Sequence, residues 1–142
     1  MIDRGPLTAA VQDLLARATG RPCGLGELPL VDGEPAELPY AVLYPLGGTP
    51  AATPFVDSWA EATLTYQVTV VARRMDQAEW LADRVRRAVL QRTASGAWVN
   101  GLEASGLYVW ARRQLADDGF DSESAKDCVV SGAQRFQFSV TG

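Results

Sequence analysis

The most constraining feature of this sequence is an alternating segment that runs almost directly into a helical one. From Ala62 to Arg73, apolar residues occupy every second position; they are Leu64, Tyr66, Val68 and Val70. This period is typical of a strand with one buried and one polar face. From Asp76 to Leu90 the apolar spacing changes to three and four, which is typical of an amphipathic helix. Each element needs a second layer to cover its apolar face, so the sequence predicts a sheet packed against helices.

The charges of this second segment follow the dipole of the predicted helix. The acidic residues of its first half are Asp76, Glu79 and Asp83, and the basic residues that follow are Arg84, Arg86, Arg87 and Arg92. Carboxylates near the N-terminus and guanidinium groups near the C-terminus both stabilise a helix. Asp76 and Glu79 also match a D-x-x-E variant of the capping box, so we expect the helix to begin at Asp76.

An earlier helix and three further strands are predicted from the same two periods. Apolar residues at helical spacing run from Leu7 to Ala18, with Pro6 in a first-turn position and Gly20 after the end. The additional strands are predicted at 40–44, 107–115 and 129–141.

Two segments rich in proline and glycine, 21–37 and 45–54, are interpreted as loops. The element order is then helix, strand, strand, helix, strand, strand, which predicts an α+β fold. We expect a mostly antiparallel sheet of about four strands with two helices on one face. No boundary interrupts residues 1–142, so a single domain is expected. Its core is predicted to combine the apolar stripe of the central strand with Phe136, Phe138 and Val140 of the last one.

Composition argues against most catalytic and metal-dependent functions. The chain has no histidine, the commonest general base near neutral pH and a common transition-metal ligand. Its two cysteines, Cys23 and Cys128, are isolated, so no CxxC pair exists, and both are expected to be reduced and unlinked. We therefore expect no catalytic residue, no metal and no cofactor.

Charge and hydropathy limit the expected partners. A net charge of −4 is not that of a nucleic-acid-coating protein. No apolar run approaches the roughly 18–20 residues that span a bilayer, so no membrane partner is expected. The polar first residues resemble no secretory signal, so synthesis and folding in a cytosol are expected.

Acidic residues are concentrated between Leu115 and Cys128. Those of the predicted loop are Asp117, Asp118, Asp121 and Glu123. The glycine and glutamate spacing of an EF-hand is missing, so calcium binding is not expected. The segment is interpreted either as a solvated hairpin tip or as an acidic patch that sets partner choice or faces a channel.

Several aromatic residues occupy positions that a monomer would gain little by exposing. Tyr108 and Trp110 lie on the polar side of their predicted strand, and Phe55 and Trp59 lie in or beside a proline-rich loop. Together they indicate a surface that is covered in an oligomer or by a partner protein.

The order of elements resembles the tail terminator (tail completion) proteins of long-tailed phages. The resemblance is carried by the strand Leu64-Thr65-Tyr66-Gln67-Val68-Thr69-Val70, the helix Asp76 to Leu90 with Trp80-Leu81-Ala82-Asp83, and the closing Arg135-Phe136-Gln137-Phe138-Ser139-Val140. It implies a structural protein that forms a ring, usually of six subunits, on the head-proximal end of the tail tube. The ring would stop tube polymerisation and join the head–tail connector.

This resemblance also implies where the protein acts. Its partners would be further copies of itself, the tail tube protein and the connector, within a virion assembled in the cytoplasm of a bacterial host. DNA would pass through the ring without specific binding. An acidic loop such as Asp117–Glu123 suits such a channel, because like charges repel the phosphates.

Two alternatives stay open at the level of sequence. One is another neck protein of the same virion. The other is a small cone-shaped α+β enzyme or ligand-binding domain, in which Tyr40, Tyr44 and Tyr66 would face a cavity beside an aspartate.

Overall fold

The computed structural model describes residues 2–50, 61–122 and 129–142 of this chain. Its helices are α1 (Gly5–Thr19) and α2 (Met75–Leu90). Its strands are β1 (Cys23–Leu25), β2 (Leu30–Val31), β3 (Glu34–Pro35), β4 (Tyr40–Pro50), β5 (Glu61–Ala72), β6 (Tyr108–Ser122) and β7 (Val130–Thr141). Neither helix within these ranges is long and apolar enough to cross a membrane.

Within the described residues, the main sheet has five strands in the order β1-β4-β5-β7-β6. All neighbouring strands are antiparallel except β1, which is parallel to β4 and aligns Cys23 with Ala41. α1 packs against α2, β1 and β4, while α2 packs against β5, β7 and β6. The predicted α+β class, with two helices on a mostly antiparallel sheet, is confirmed, and β1 adds one strand to the four expected.

The segment predicted as the first loop contains regular structure. Besides β1, it holds the hairpin β2–β3, in which Val31 pairs with Glu34 around a two-residue turn. Asp32 and Gly33 both have positive φ, at 53° and 80°, which is what a type I′ turn requires and what an Asp-Gly dipeptide favours. Interpreting 21–37 as a loop was therefore wrong in these places.

One apolar core joins both helices to the inner face of the sheet. The predicted stripes of β5 and β7 are all buried, with Phe136 and Val140 fully so. The apolar face predicted for α2 is buried as well; its residues are Ala78, Leu81, Ala82, Val85, Ala88 and Val89. Tyr66 packs edge-to-face on Phe138, with ring centroids 5.7 Å apart. The predicted core is confirmed.

The helix ends agree with the sequence at α1 but not at the start of α2. Gly20 closes α1 with a left-handed φ of 72°. α2 begins at Met75, after an extended Arg74 whose guanidinium holds the Asp76 carboxylate at 3.0 and 3.3 Å. The predicted Asp76 capping box was wrong, because this carboxylate binds the preceding arginine instead of a backbone N–H.

Strand β6 is longer and less regular than the alternation predicts. It continues past Leu115 to Ser122, and its register against β7 shifts at three places. The first shift, at Trp110, turns Arg112 to the buried face, although simple alternation groups it with Tyr108. The aspartates at 117, 118 and 121 thus lie on a bulged strand, and the prediction of a loop there was wrong.

Candidate assembly surfaces

Strand β6 is one of the two edge strands of the main sheet in the described part of the chain, and it carries the predicted interface aromatics. Tyr108 is 69% exposed and Trp110 is 53% exposed. Leu115, further along the same strand, is also exposed. A long edge strand with exposed apolar side chains is a surface to which another chain can pair. The other two predicted interface residues, Phe55 and Trp59, lie outside the described residues.

The predicted acidic loop residues do not share one surface. Asp117 is paired with Gln134, whose side chain is buried on the α2 side of the sheet. Asp121 is paired with Ser131, on the opposite face. Asp118 is exposed at the bulge between them. Glu123 lies outside the described residues. The carboxylates of Asp117 and Asp121 therefore lie on opposite faces of the sheet.

Asp117 contributes to a groove between β6 and α2. Glu79, Asp83 and Arg86 of the helix line this groove of about 180 Å³ together with Phe120 and Gln134. Arg86 pairs with Asp83 at 2.9 Å, while Asp117 accepts a hydrogen bond from the backbone N–H of Gly119 at 3.2 Å. We call Glu79, Asp83 and Asp117 the acidic flank of α2. With Arg86 included, this flank has a net charge of −2.

The adjacent side of α2 carries arginines. Arg84 and Arg87 line a groove of about 280 Å³ with Ala18 of α1 and with Val99, and no carboxylate lines it among the described residues. The Arg84 guanidinium stacks 4.6 Å from the ring of Trp80, which is itself 43% exposed. We call Trp80, Arg84, Arg87 and Val99 the arginine flank.

A buried arginine holds the segment after α2 against the sheet. Arg112 donates a hydrogen bond to the carbonyl of Val89 at the helix C-terminus, 3.1 Å away. Its guanidinium lies 4.6 Å from the ring of Trp98, and that of Arg92 lies 4.0 Å from the same ring. Burial, and secondarily the charge of Arg92, lower the pKa of Arg112 to about 10, so it stays cationic at neutral pH.

Sequence reasoning missed this cluster because no local signal marks it. The bulge at Trp110 reverses the face of Arg112, and alternation read from the sequence cannot register an inserted residue.

The tyrosines of the enzyme alternative do not converge. Tyr66 is buried on the inner face, where its hydroxyl lies 2.8 Å from that of Thr8. Tyr40 and Tyr44 pair with Val71 and Gln67 on the other face. Over residues 2–50, 61–122 and 129–142, no group of three or more cysteine and carboxylate side chains is arranged to hold a metal ion. The three tyrosines therefore do not line one common cavity.

Comparison with known proteins identifies the fold. No protein-family model matches this sequence, and no curated protein matches it. Among solved structures, the chain is similar to one from the virion of a native gene transfer agent particle, at 20% identity and a TM-score of 0.64. That alignment covers 96% of this chain and 95% of the other.

A second solved protein, whose designation gives no function, is 18% identical with a TM-score of 0.54. Here the alignment covers 97% of this chain and 96% of the other. At such identities the likeness establishes a shared fold over nearly the whole of each chain. This α+β fold therefore also occurs in a protein built into a virion.

Proposed function

We propose that this protein is a structural subunit of a phage-like virion that closes the head-proximal end of the tail tube as a ring. In this role it stops tube polymerisation and provides the surface that joins the head connector. The observation that carries the proposal is the likeness, over almost the full length of both chains, to a chain of a gene transfer agent virion. The resemblance in element order to tail terminators supports the more specific role, with six copies in the ring.

The exposed aromatics of β6 support an assembling protein. Tyr108 and Trp110 present their rings on the outer strand of the sheet, and tyrosine and tryptophan are enriched among the residues that dominate protein interfaces. In the proposed ring they are buried against the tail tube or the next copy. The protein then works by packing against other subunits and is not an enzyme.

The far end of β6 suits the channel of the proposed ring. Asp118 and Asp121 are exposed there, and Glu123 follows them in the sequence. Carboxylates at this position repel the phosphates of passing DNA, which prevents the DNA from adhering to the channel wall.

The test adds purified protein to tail tubes growing from the tube protein of the same particle. Capped tubes keep a limited length and join heads, and the Trp110→Asp variant loses both effects while keeping its fold by circular dichroism. Leu30→Asp is the matched control, because Leu30 is at least as exposed (61%, against 53% for Trp110) but lies on the separate hairpin β2–β3.

Two results would count against the proposed role. If tubes lengthen unchecked with the wild-type protein, and Trp110→Asp behaves identically, the protein is not a terminator. If tubes reach normal length without the protein and head joining alone fails, it is a different neck component.

A further inference from the structure

We infer that neighbouring copies of this protein contact one another through α2, with the arginine flank of one copy against the acidic flank of the next. The inference rests on the proposed ring, because it assigns that ring a subunit contact. It names the partner as a second copy of this chain.

The two flanks lie on separate sides of the same helix. At 3.6 residues per turn, the Glu79–Asp83 pair and the Arg84–Arg87 pair are centred roughly 90° apart around the helix axis. Accordingly, the acidic groove is bordered by Phe120 of β6, and the arginine groove by Ala18 of α1. Asp83 and Arg87 are at i, i+4 spacing, but Asp83 pairs with Arg86 at 2.9 Å, and Arg87 has no ion pair among the described residues.

Each flank has charges without an opposite partner. Arg84 and Arg87 form no ion pair with any described residue, and the same is true of Glu79 and Asp117; the ion pairs present are Arg17–Asp13, Arg74–Asp76 and Arg86–Asp83. The acidic flank has a net charge of −2, and the arginine flank contributes two guanidinium groups. The flanks are thus complementary in sign and equal in magnitude.

The arginine flank also has the composition of a protein interface. Trp80 and Val99 are 43% and 47% exposed, and they border guanidinium groups that bind carboxylates with two parallel hydrogen bonds. Stacking on Trp80 holds the Arg84 guanidinium in place, which reduces the side-chain entropy lost on binding. Tryptophan and arginine, together with tyrosine, are the residues most enriched at interface hot spots.

Different surfaces on the two sides of the contact make it heterologous. Each copy offers one basic and one acidic surface, so copies add head to tail and close into a ring when the rotation per subunit allows it. This is the symmetry that the proposed ring requires.

A zero-length cross-link tests the contact directly. Lys126 is the only lysine, so Lys126→Arg combined with Arg87→Lys leaves one side-chain amine, at position 87, and preserves every charge. Carbodiimide, which joins an amine to a carboxylate without a spacer, is applied to a concentrated equal mixture of ¹⁴N- and ¹⁵N-labelled protein at low salt. Mixed-isotope peptides that join position 87 to Glu79, Asp83 or Asp117 are the expected products.

Charge reversal provides the matching energetic test, read by sedimentation equilibrium. Arg87→Glu and Asp117→Arg should each weaken self-association by about tenfold or more, because each places like charges together. Combining the two should restore association. Arg73→Glu is the control, since Arg73 is exposed and lines a different groove beside Pro35 and Tyr40.

The inference is overturned if no mixed-isotope product forms at the highest soluble concentration, or if position 87 cross-links to other acids alone. It is also overturned if Arg73→Glu weakens association as much as Arg87→Glu does. If the protein limits tube length but gives either of these results, the proposed function stands and the proposed contact is wrong. If the cross-links form but the tubes stay uncapped, the contact stands and the proposed function is wrong.

Discussion

Two sets of polar side chains inside the core have specific partners. The hydroxyl of Tyr66 lies against that of Thr8 in α1, and Gln134 of β7 donates to the carbonyl of Ala82 while accepting from Gln114. A buried polar group without a partner costs about 1–3 kcal/mol. These pairs therefore fix which part of each helix faces which strand.

Phe138 is the residue at which the core prediction is most directly tested. It is 1% exposed and packs on Tyr66, so Phe138→Ala should lower the free energy of unfolding by about 3–5 kcal/mol, through lost burial and the cavity left behind. Gln137→Ala, on the other face of the same strand, should change it by about 0.5 kcal/mol or less. Thermal and urea unfolding measure both losses of stability. Equal losses would mean that Phe138 does not face the core while Gln137 faces away from it.

Cys23 gives a second residue-level prediction. Burial, opposed in part by a hydrogen bond with the backbone of Leu43, raises the pKa of Cys23 from its usual 9.0 to about 11. In native protein at neutral pH, its thiol should therefore stay unreactive toward a disulfide reagent. Denatured, non-reduced protein should show two free thiols, Cys128 being the second; finding none would indicate a disulfide.

The raised pKa of Cys23 also sets the direction of a pH effect. Below about pH 9 the thiol is protonated in both folded and unfolded chains, so its contribution to stability is complete. Between pH 9 and about pH 11 the unfolded thiol ionises first, and stability falls. The melting temperature of Cys23→Ala should decline less over this window than that of the wild type.

At the scale of elements, β6 is held in register by a close contact at its far bulge. Phe120 lies against Gly132 of β7, where a Cβ would meet the ring and would come within 2.7 Å of the Gly119 carbonyl oxygen. Gly119 itself has a φ of 73°. The bulge thus depends on one glycine for its turn and on another for space.

Gly132→Ala should therefore destabilise the fold by about 1–3 kcal/mol through overpacking. Ser131→Ala, on the other face of β7, is the control and should have little effect. Because Phe120→Ala removes the ring that the new methyl group would meet, the double variant should lose less stability than the sum of the two single losses. A double-mutant cycle in urea measures this difference. Additive losses would mean that ring and glycine are not in contact.

The elements that sequence predicts well are those whose signal is local. The alternation of β5 and the helical spacing of α2 each lie within one segment, and both were confirmed residue by residue. β1 was missed because its three residues form a strand only by pairing with Ala41–Leu43, which are distant in the sequence. The face of Arg112 was missed because a bulge adds a residue without changing the composition of the strand. The exposed positions of Tyr108 and Trp110 were predictable, since they precede or coincide with the first bulge.

At the scale of the whole molecule, both helices and four of the five strands of the main sheet contribute to one buried cluster around Tyr66, and β6 packs its half-buried residues against it. Elements that share a core unfold together in most domains of this size. We expect tryptophan fluorescence and far-ultraviolet circular dichroism to give one coincident urea transition. Two separate midpoints would mean that residues 1–142 do not behave as a single domain.

The position of β7 between β5 and β6 has a consequence for synthesis on the ribosome. Its pairing with β5 joins residues from Ala72↔Val130 to Glu61↔Thr141, and its apolar side chains fill the centre of the core. As the chain emerges, β4, β5 and α2 are synthesised well before β7, the strand that pairs with the free edge of β5. The pairing of β5 with β7 therefore waits for residues 130–141, and until then the edge of β5 that faces away from β4 is unpaired and open to other nascent chains.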